Sequence, residues 1–455
     1  MIEKTRIQFL NDKKIANRKF VVYWMQASQR AEYNHALEYA VMQANKLGKA
    51  LIVFFGLTDR YPLANERHYV FILEGLVSTR KALEDRGIKM IVQIGPPEQK
   101  IVELAKEASL VIVDRGYTRI QKYWRKYAAN LLDCPLIQVE SNVIVPIEEV
   151  SLKEEYSAAT SRSKIYSKFN DYLVPLRRGN VRKESLGIRI EGFKIDNTED
   201  ALSQLEIDRS IKRIEKFRGG AESAKQFLEA FLSKKLKDYD KRKNDPTIDG
   251  TSHLSPYLHF GHISPLYIAL QVMKYRGAGK DAFLEELIVR RELSANYVYY
   301  NPNYDSFGGL PEWSRTTLKE HENDRREFNY TLSQLEKAQT HDPYWNTAQK
   351  EMAYLGKMHG YMRMYWGKKI LEWTERPEDA FKIALYLNDK YELDGGDPNG
   401  YAGVAWCFGK HDRPWPERPI FGKVRYMNAE GLKRKFDIER YVQQIDEKLR
   451  DAVQE

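Results

Sequence analysis

The chain has 455 residues, 42% hydrophobic and 30% charged, with 73 Lys and Arg against 64 Asp and Glu for a net charge of +9. This length exceeds one ordinary core, so two domains are expected, and no stretch approaches the roughly 20 apolar residues of a membrane span. The opening MIEKTRIQFLNDKK lacks the apolar centre of a secretory signal, and Cys134 and Cys407 lie too far apart for metal-ligand spacing. No metal site or membrane association is therefore expected, and a reducing, cytoplasmic setting fits.

The first third alternates apolar runs with amphipathic segments. KFVVYWM, ALIVFFGL, KMIVQIG, SLVIVD and PLIQVE read as five buried strands, separated by segments such as AEYNHALEYAVMQANKL and YVFILEGLVSTRKALEDRG. Near-continuous Val/Ile/Leu strands alternating with helices predict a parallel, doubly wound sheet. A ligand there would sit at the carboxyl ends of the strands, near Trp24–Ser28, Gly56–Asp59, Gly95 and Asp114–Tyr117. No G-x-G-x-x-G occurs, which argues against a pyrophosphate held by that fingerprint.

After Pro146 the strand signal fades. Residues 174–203 carry Gly, Pro and charge without sustained period and read as an interdomain linker between an α/β domain at 1–173 and an all-helical domain at 204–455. Helices are expected near 207–217, 221–236, 264–275, 280–299, 345–372, 377–390 and 435–452.

Several constellations in the second half carry chemistry. TSHLSPYLHFGHIS places Thr251, Ser252 and Ser255 before Pro256, which can open a helix at its first position. Hydroxyls and free amides there form either an ordinary N-cap or an anion site, and Tyr239 with its Lys/Arg neighbours favours a phosphate. In FLEELIVRREL, Glu286 and Arg290 stand four apart, as a helical ion pair would, while a carboxyl beside an apolar face also suits a base edge.

From Met352 to Trp373, MAYLGKMHGYMRMYWGKKILEW reads as part of one long helical pattern. Trp366 and Trp373, seven apart, fall on nearly the same side, and Trp345 lies upstream in HDPYWN. Such indoles pack a core or pass electrons to a buried redox cofactor. LNDKYELDGGDPNGYAGVAW gathers Asn388, Asp394, Asp397 and Asn399 among glycines that permit close approach, without the acidic spacing and closing Glu of a calcium loop. Basic charge concentrates in Lys234–Lys243 and Lys410–Lys435. Each run reads as a solvated face or as a surface for a polyanion. The second interleaves Trp415, Phe421 and Tyr426 with Arg413, Arg418, Lys423 and Arg425, the pairing of cations and flat rings that nucleic-acid grooves use.

TSHLSPYLHFGHIS strongly resembles the flavin-phosphate motif of the photolyase/cryptochrome family. VVYWMQASQRAEYNHAL, RRELSANYVYYNPNYDS, HDPYWN, MHGYMRMYWGKKILEW and KHDRPWPERPIFGKVRYM resemble class II cyclobutane pyrimidine dimer photolyases, and the likeness runs over nearly the whole chain, weakest at 174–203. The resemblance implies a Rossmann-like antenna domain joined to a helical domain holding U-shaped FAD. It further implies light-driven repair, by electron transfer from excited reduced FAD to a dimer flipped out of the duplex.

Carried over by position, the resemblance puts Tyr239, Thr251, Ser252, Leu254 and Ser255 on the FAD phosphates and ribityl chain. Arg363 and Asp394 form an ion pair beside the isoalloxazine, and Asn388 faces flavin N5, with Asn399 as rival. Trp345, Trp366 and Trp373 match the electron-transfer triad, Trp366 innermost and Trp373 outermost. Glu286, Met364 and Trp406 match the dimer pocket, Glu286 hydrogen-bonding the dimer radical anion. Trp415 and Arg425 enter the gap left by the extruded lesion, with Asn244 on the opposite lip. The expected partner is dimer-containing DNA, with no obligate protein partner and a monomeric chain. A second chromophore in the first domain, such as a deazaflavin or a folate, stays open. The rival functions are a cryptochrome-type photosensor, disfavoured by the absence of a long tail after the last helix, and a flavoprotein or DNA-binding module without light chemistry.

Overall fold

The computed structural model describes residues 2–454. The chain forms two compact units. The first runs to Leu152 and takes in Ser163–Ser233 and Ser252–Arg276; the second takes Lys153–Arg162, Lys234–Thr251 and the chain from Gly277 onward. Each unit is therefore threaded more than once, and the helical region after 204 contributes to both.

The first unit is built on a sheet of six strands: β1 (Ile7–Phe9), β2 (Phe20–Trp24), β3 (Ala50–Leu57), β4 (Lys89–Ile94), β5 (Ala108–Asp114) and β6 (Leu136–Val139). Their order is β1-β6-β5-β2-β3-β4, parallel throughout except for β1, which runs antiparallel to β6. The five parallel strands are those expected, in the order that reverses at β2 and so defines a switch point between β2 and β5. β1 was not expected: it is three residues long, and Gln8 and Phe9 are exposed, so it carries no buried apolar run.

Strand alternation divides the core. Val21, Tyr23, Leu51, Val53, Leu110 and Ile112 face α1 (His35–Leu47) and α2 (Glu66–Glu84). Phe20, Val22, Trp24, Ile52, Phe54, Val111 and Val113 face the other way, with Ile101 of α3 (Pro97–Ala105) and Ala128 of α4 (Arg119–Leu131). Burial on both faces is the reason the strands read as unbroken apolar runs rather than alternating ones. Residues 174–203 hold one short helix, Thr198–Ser203, and Ile195 joins the first of these cores.

The second unit is helical. Its main elements are α5 (Ala278–Leu284), α6 (Arg291–Tyr300), α7 (Pro343–Leu355), α8 (Gly360–Trp373), α9 (Pro377–Tyr391), α10 (Pro398–Cys407), α11 (Ala429–Lys435) and α12 (Ile438–Gln454). Two expected helices are corrected. Residues 207–217 form none: Asp208 bridges Asn65 and its carbonyl accepts from Glu66 N at 2.8 Å, so this stretch pairs with the chain at the start of α2 instead of coiling on itself. The long pattern through 345–372 is two helices. Gly356, at φ +68°, ends α7 in the left-handed region, and His359 caps α8 by accepting from Tyr361 N through Nδ1 at 3.2 Å.

Candidate flavin and lesion site

Tryptophan geometry depends on that break, because α7 and α8 return side by side. Trp366 and Trp373 share one side of α8, and Trp345 of α7 touches both. The Trp345 and Trp366 rings are 6.5 Å apart and 6° from parallel; Trp345 and Trp373 are 5.6 Å apart at 68°. All three are buried. Trp345 Nε1 donates to the Trp366 carbonyl at 3.0 Å, and Trp366 Nε1 to Gln349 Oε1 at 2.8 Å, so the ring order Trp366–Trp345–Trp373 is fixed by directional bonds.

Three residues before Trp366, Arg363 lies on the same side of α8. Its Nη2 is 3.6 Å from Asp394 Oδ1, as expected, but only 2.9 Å from Glu392 Oε1, an acid the sequence did not single out. Asn388 is 1% exposed on α9; its Nδ2 donates to Asp389 Oδ1 at 2.9 Å, and its Oδ1 has no partner among the described residues. Gly400 lets α10 come close, since a Cβ there would meet Asn388 Nδ2 at 3.0 Å. Asn399, by contrast, is exposed, and its backbone N and Nδ2 both donate to Asp397 Oδ1, at 2.8 and 2.7 Å, within the N-cap of α10.

The TSHLSPYLHFGHIS segment changes unit after its first residue. Thr251 closes one segment of the second, its carbonyl accepting from Lys235 Nζ at 3.2 Å, and Ser252 opens a segment of the first. Ser255 begins a five-residue helix, Ser255–His259, with Pro256 in its first turn; Leu254 is buried, and His253 takes φ +56°, a strained value for a non-glycine residue. Gly261 is required where it stands: a Cβ would meet the Ala27 carbonyl at 2.0 Å. Buried Tyr239 packs edge-on to Phe283 at 5.3 Å, and burial, then the charge of Glu286, holds its hydroxyl pKa well up.

Glu286 does not pair with Arg290. Residues Glu285–Arg290 form a π-helical segment, whose wider turn sets positions five apart in line, and Arg290 Nε meets Glu285 Oε1 at 3.5 Å. Arg162 also grips Glu285, through bonds of 3.0 and 2.7 Å. Glu286, 42% exposed at its side chain, is left facing Lys243, whose Nζ donates at 2.6 Å. Asn244, next in the chain, is exposed.

Met364 and Trp406 are half-buried on α8 and α10. Between these helices lies Lys368, fully buried: its Nζ donates to the Cys407 carbonyl at 2.5 Å and sits 5.2 Å from the Trp406 ring centre, and burial pushes its pKa down to about 8. The KK pair of the sequence reads as solvated charge, so this lysine was missed. The Arg425 guanidinium lies 4.9 Å from the Trp415 ring and 5.7 Å from Trp406, linking the expected lesion pocket to the basic-aromatic loop.

A doubly wound sheet unit and a helical unit in one chain are the fold of solved photolyases. The structure matches the crystal structure of an archaeal photolyase from Sulfolobus tokodaii with two FAD molecules, at TM-score 0.70 and 17% identity over 93% of this chain and 89% of that one. The DNA photolyase family model matches residues 21–178. The deoxyribodipyrimidine photolyase of Methanothermobacter thermautotrophicus is 53% identical over 98% of this chain and 99% of its own length. That of Arabidopsis thaliana is 41% identical over 93% and 88%. The chain belongs to the deoxyribodipyrimidine photolyase family, among the class II enzymes that repair cyclobutane pyrimidine dimers under light.

Proposed function

We propose that this chain divides the repair reaction among the residues above, with FAD as the catalytic cofactor. The observation that carries the flavin reading is the pair of buried polar atoms, Asn388 Oδ1 and Arg363 Nε, that find no partner among the described residues although their neighbours are tightly bonded. A polar ring with hydrogen-bonding edges fits such donors and acceptors. Tyr239, Thr251, Ser252, Leu254 and Ser255 would hold the phosphates and ribityl chain, Arg363 and Asp394 the ring system, and Asn388 the N5 edge. Asn399 is the weaker candidate for that edge because Asp397 already engages it. Reduced flavin, when bound and excited by light, supplies the electron that opens the cyclobutane ring.

The remaining work falls to the chain. Glu286, Met364 and Trp406 receive the flipped dimer, and Glu286 presents hydrogen bonding to charge developing on it. Lys243 and the loop around Trp415 and Arg425 hold the backbone and opened duplex without reading sequence. Trp373, Trp345 and Trp366 relay electrons inward when the cofactor has become oxidised. Lesion-bearing DNA is thus the partner, acted on in this reading by a single chain. Two buried free thiols, Cys134 and Cys407, support a reducing, cytoplasmic setting.

A second chromophore in the first unit is supported at the switch point. There Asp114 Oδ1 accepts from Gln26 N at 2.8 Å, and both side-chain polar atoms of buried Gln26 have no partner among the described residues. The archaeal neighbour was solved with two FAD molecules, which lends support to a second chromophore here.

Asn388→Ala should speed air reoxidation of the bound reduced flavin, followed by its visible absorption, whereas Asn399→Ala should leave it unchanged and cost at most about 1 kcal/mol of stability. The reverse pattern would move the N5 role to Asn399, and purified protein without flavin absorption would sink the flavin reading. Glu286→Ala should cost about 1.5–3 kcal/mol of stabilisation at the splitting step, the scale of a hydrogen bond to a charged group. Dimer binding should hold, since Lys243 is then freed for a phosphate. Splitting yield and affinity measured on one oligonucleotide check this; an equal fall in both reduces Glu286 to a positioning group.

A further inference from the structure

Beside the proposed flavin residues stands a carboxylate with no assigned part. Glu392 is fully buried just past the end of α9. Its Oε1 accepts from Arg363 Nη2 at 2.9 Å and from Met358 N at 3.1 Å. Next to it, Leu393 N donates to the Gly356 carbonyl at 2.8 Å. One side chain therefore closes the break between α7 and α8 and takes the guanidinium at the start of α8.

Tying down a backbone N–H needs only a neutral acceptor, and burying a carboxylate is expensive unless its charge is compensated. Arg363 is shared by two buried acids, Glu392 and Asp394, so the three carry a net negative charge when both acids are ionised. Lys357 offsets this from 3.8 Å at the other Asp394 oxygen, with its side chain 19% exposed. The second acid thus alters the charge that Arg363 presents, beyond fixing its position.

We propose that Glu392 is a positioning residue for the flavin site, holding Arg363 in place and, through its own charge, setting how strongly the site favours the reduced, anionic cofactor. The assignment rests on the flavin reading above. The groups facing Glu392 are Arg363 from α8, Lys357 and the Met358 amide from the break, Asp394 from its own segment and Tyr441 from α12. The Tyr441 hydroxyl donates to Glu351 of α7 at 2.7 Å. Burial lifts the Glu392 pKa to about 7, against the pull of Arg363, so its charge changes near neutral pH. Above that point the added negative charge disfavours reduction; below it, reduction is eased.

The test is the midpoint potential of bound FAD in wild type, Glu392→Gln and Glu392→Asp, from about pH 6 to pH 9, a range that brackets the titration. Glu392→Gln should raise the reduced-to-oxidised ratio at a fixed applied potential about tenfold, the scale of one partly screened charge, and flatten the extra pH dependence near neutrality. Glu392→Asp, which keeps a titrating carboxyl, should retain that dependence. Glu392→Gln with wild-type potential and pH slope would leave only a helix tie and overturn the proposal, as would equal loss of FAD from both variants. Should Glu392→Gln fail to fold, the same pH slope in wild type and Glu392→Asp supports the proposal, and its absence from both overturns it. Wild-type protein that retains no FAD fails the flavin reading itself, whereas FAD retained with unaltered potentials in Glu392→Gln fails the Glu392 proposal alone.

Discussion

Trp345→Phe should abolish light-driven reduction of bound oxidised FAD while leaving repair by chemically reduced enzyme nearly intact. Trp345 is the residue whose ring meets both Trp366 and Trp373, so removing its indole interrupts the line in the middle. Phenylalanine keeps most of the packing area but is far harder to oxidise. Trp366→Phe should have the same effect from the inner end. Both changes carry a structural cost: Trp345 loses its bond to the Trp366 carbonyl and Trp366 its bond to Gln349, each about 1–3 kcal/mol where a buried partner is left unsatisfied. Thermal unfolding should therefore be measured beside flavin bleaching under illumination with an external reductant. Normal bleaching in a folded variant would make the tryptophans plain core residues.

The relation between these indoles shows where the sequence was legible and where it was not. Trp366 and Trp373 share a side of α8 by helical period alone, and the five parallel strands announce themselves because both sheet faces are covered. The sequence pattern runs through Gly356 as continuous helix, since the local glycine and histidine caps are backed by bonds from far along the chain: Glu392 and Leu393, more than thirty residues on, bond to Met358 and Gly356. Glu392 itself sits in YELD, which looks like surface acid. Lys368 hides in a KK pair, and its burial between α8 and α10 is tertiary. The Glu286–Arg290 pairing failed for a subtler reason, because the π-helical turn changes the period on which the i,i+4 rule depends. Local pattern located the elements and the candidate residues. The bonds that join them came from packing across the chain.

Trp415→Ala and Arg425→Ala should each weaken binding to a dimer in duplex DNA far more than to the same dimer in a single strand. The two side chains form one stack, Arg425 lying against Trp415 and Trp406, so the loop presents a flat, cationic surface beside Trp406, the residue proposed for the lesion pocket. A duplex with an extruded dimer has a gap and two unpaired bases; a single strand has neither. Filling that gap by stacking is worth about 1–3 kcal/mol per base, which predicts roughly a 5- to 150-fold loss of duplex affinity for Trp415→Ala. Trp415 carries no charge, so the salt dependence of its variant should match wild type, whereas a phosphate contact by Arg425 would lower the slope by about one. Because the rings and guanidinium touch, the double variant should lose less than the sum of the single losses. Titrating paired and unpaired substrates at two salt concentrations separates stacking from charge. Equal losses on both substrates would reduce the loop to a backbone clamp, and the specificity for lesions in duplex DNA would then rest on the pocket of Glu286, Met364 and Trp406.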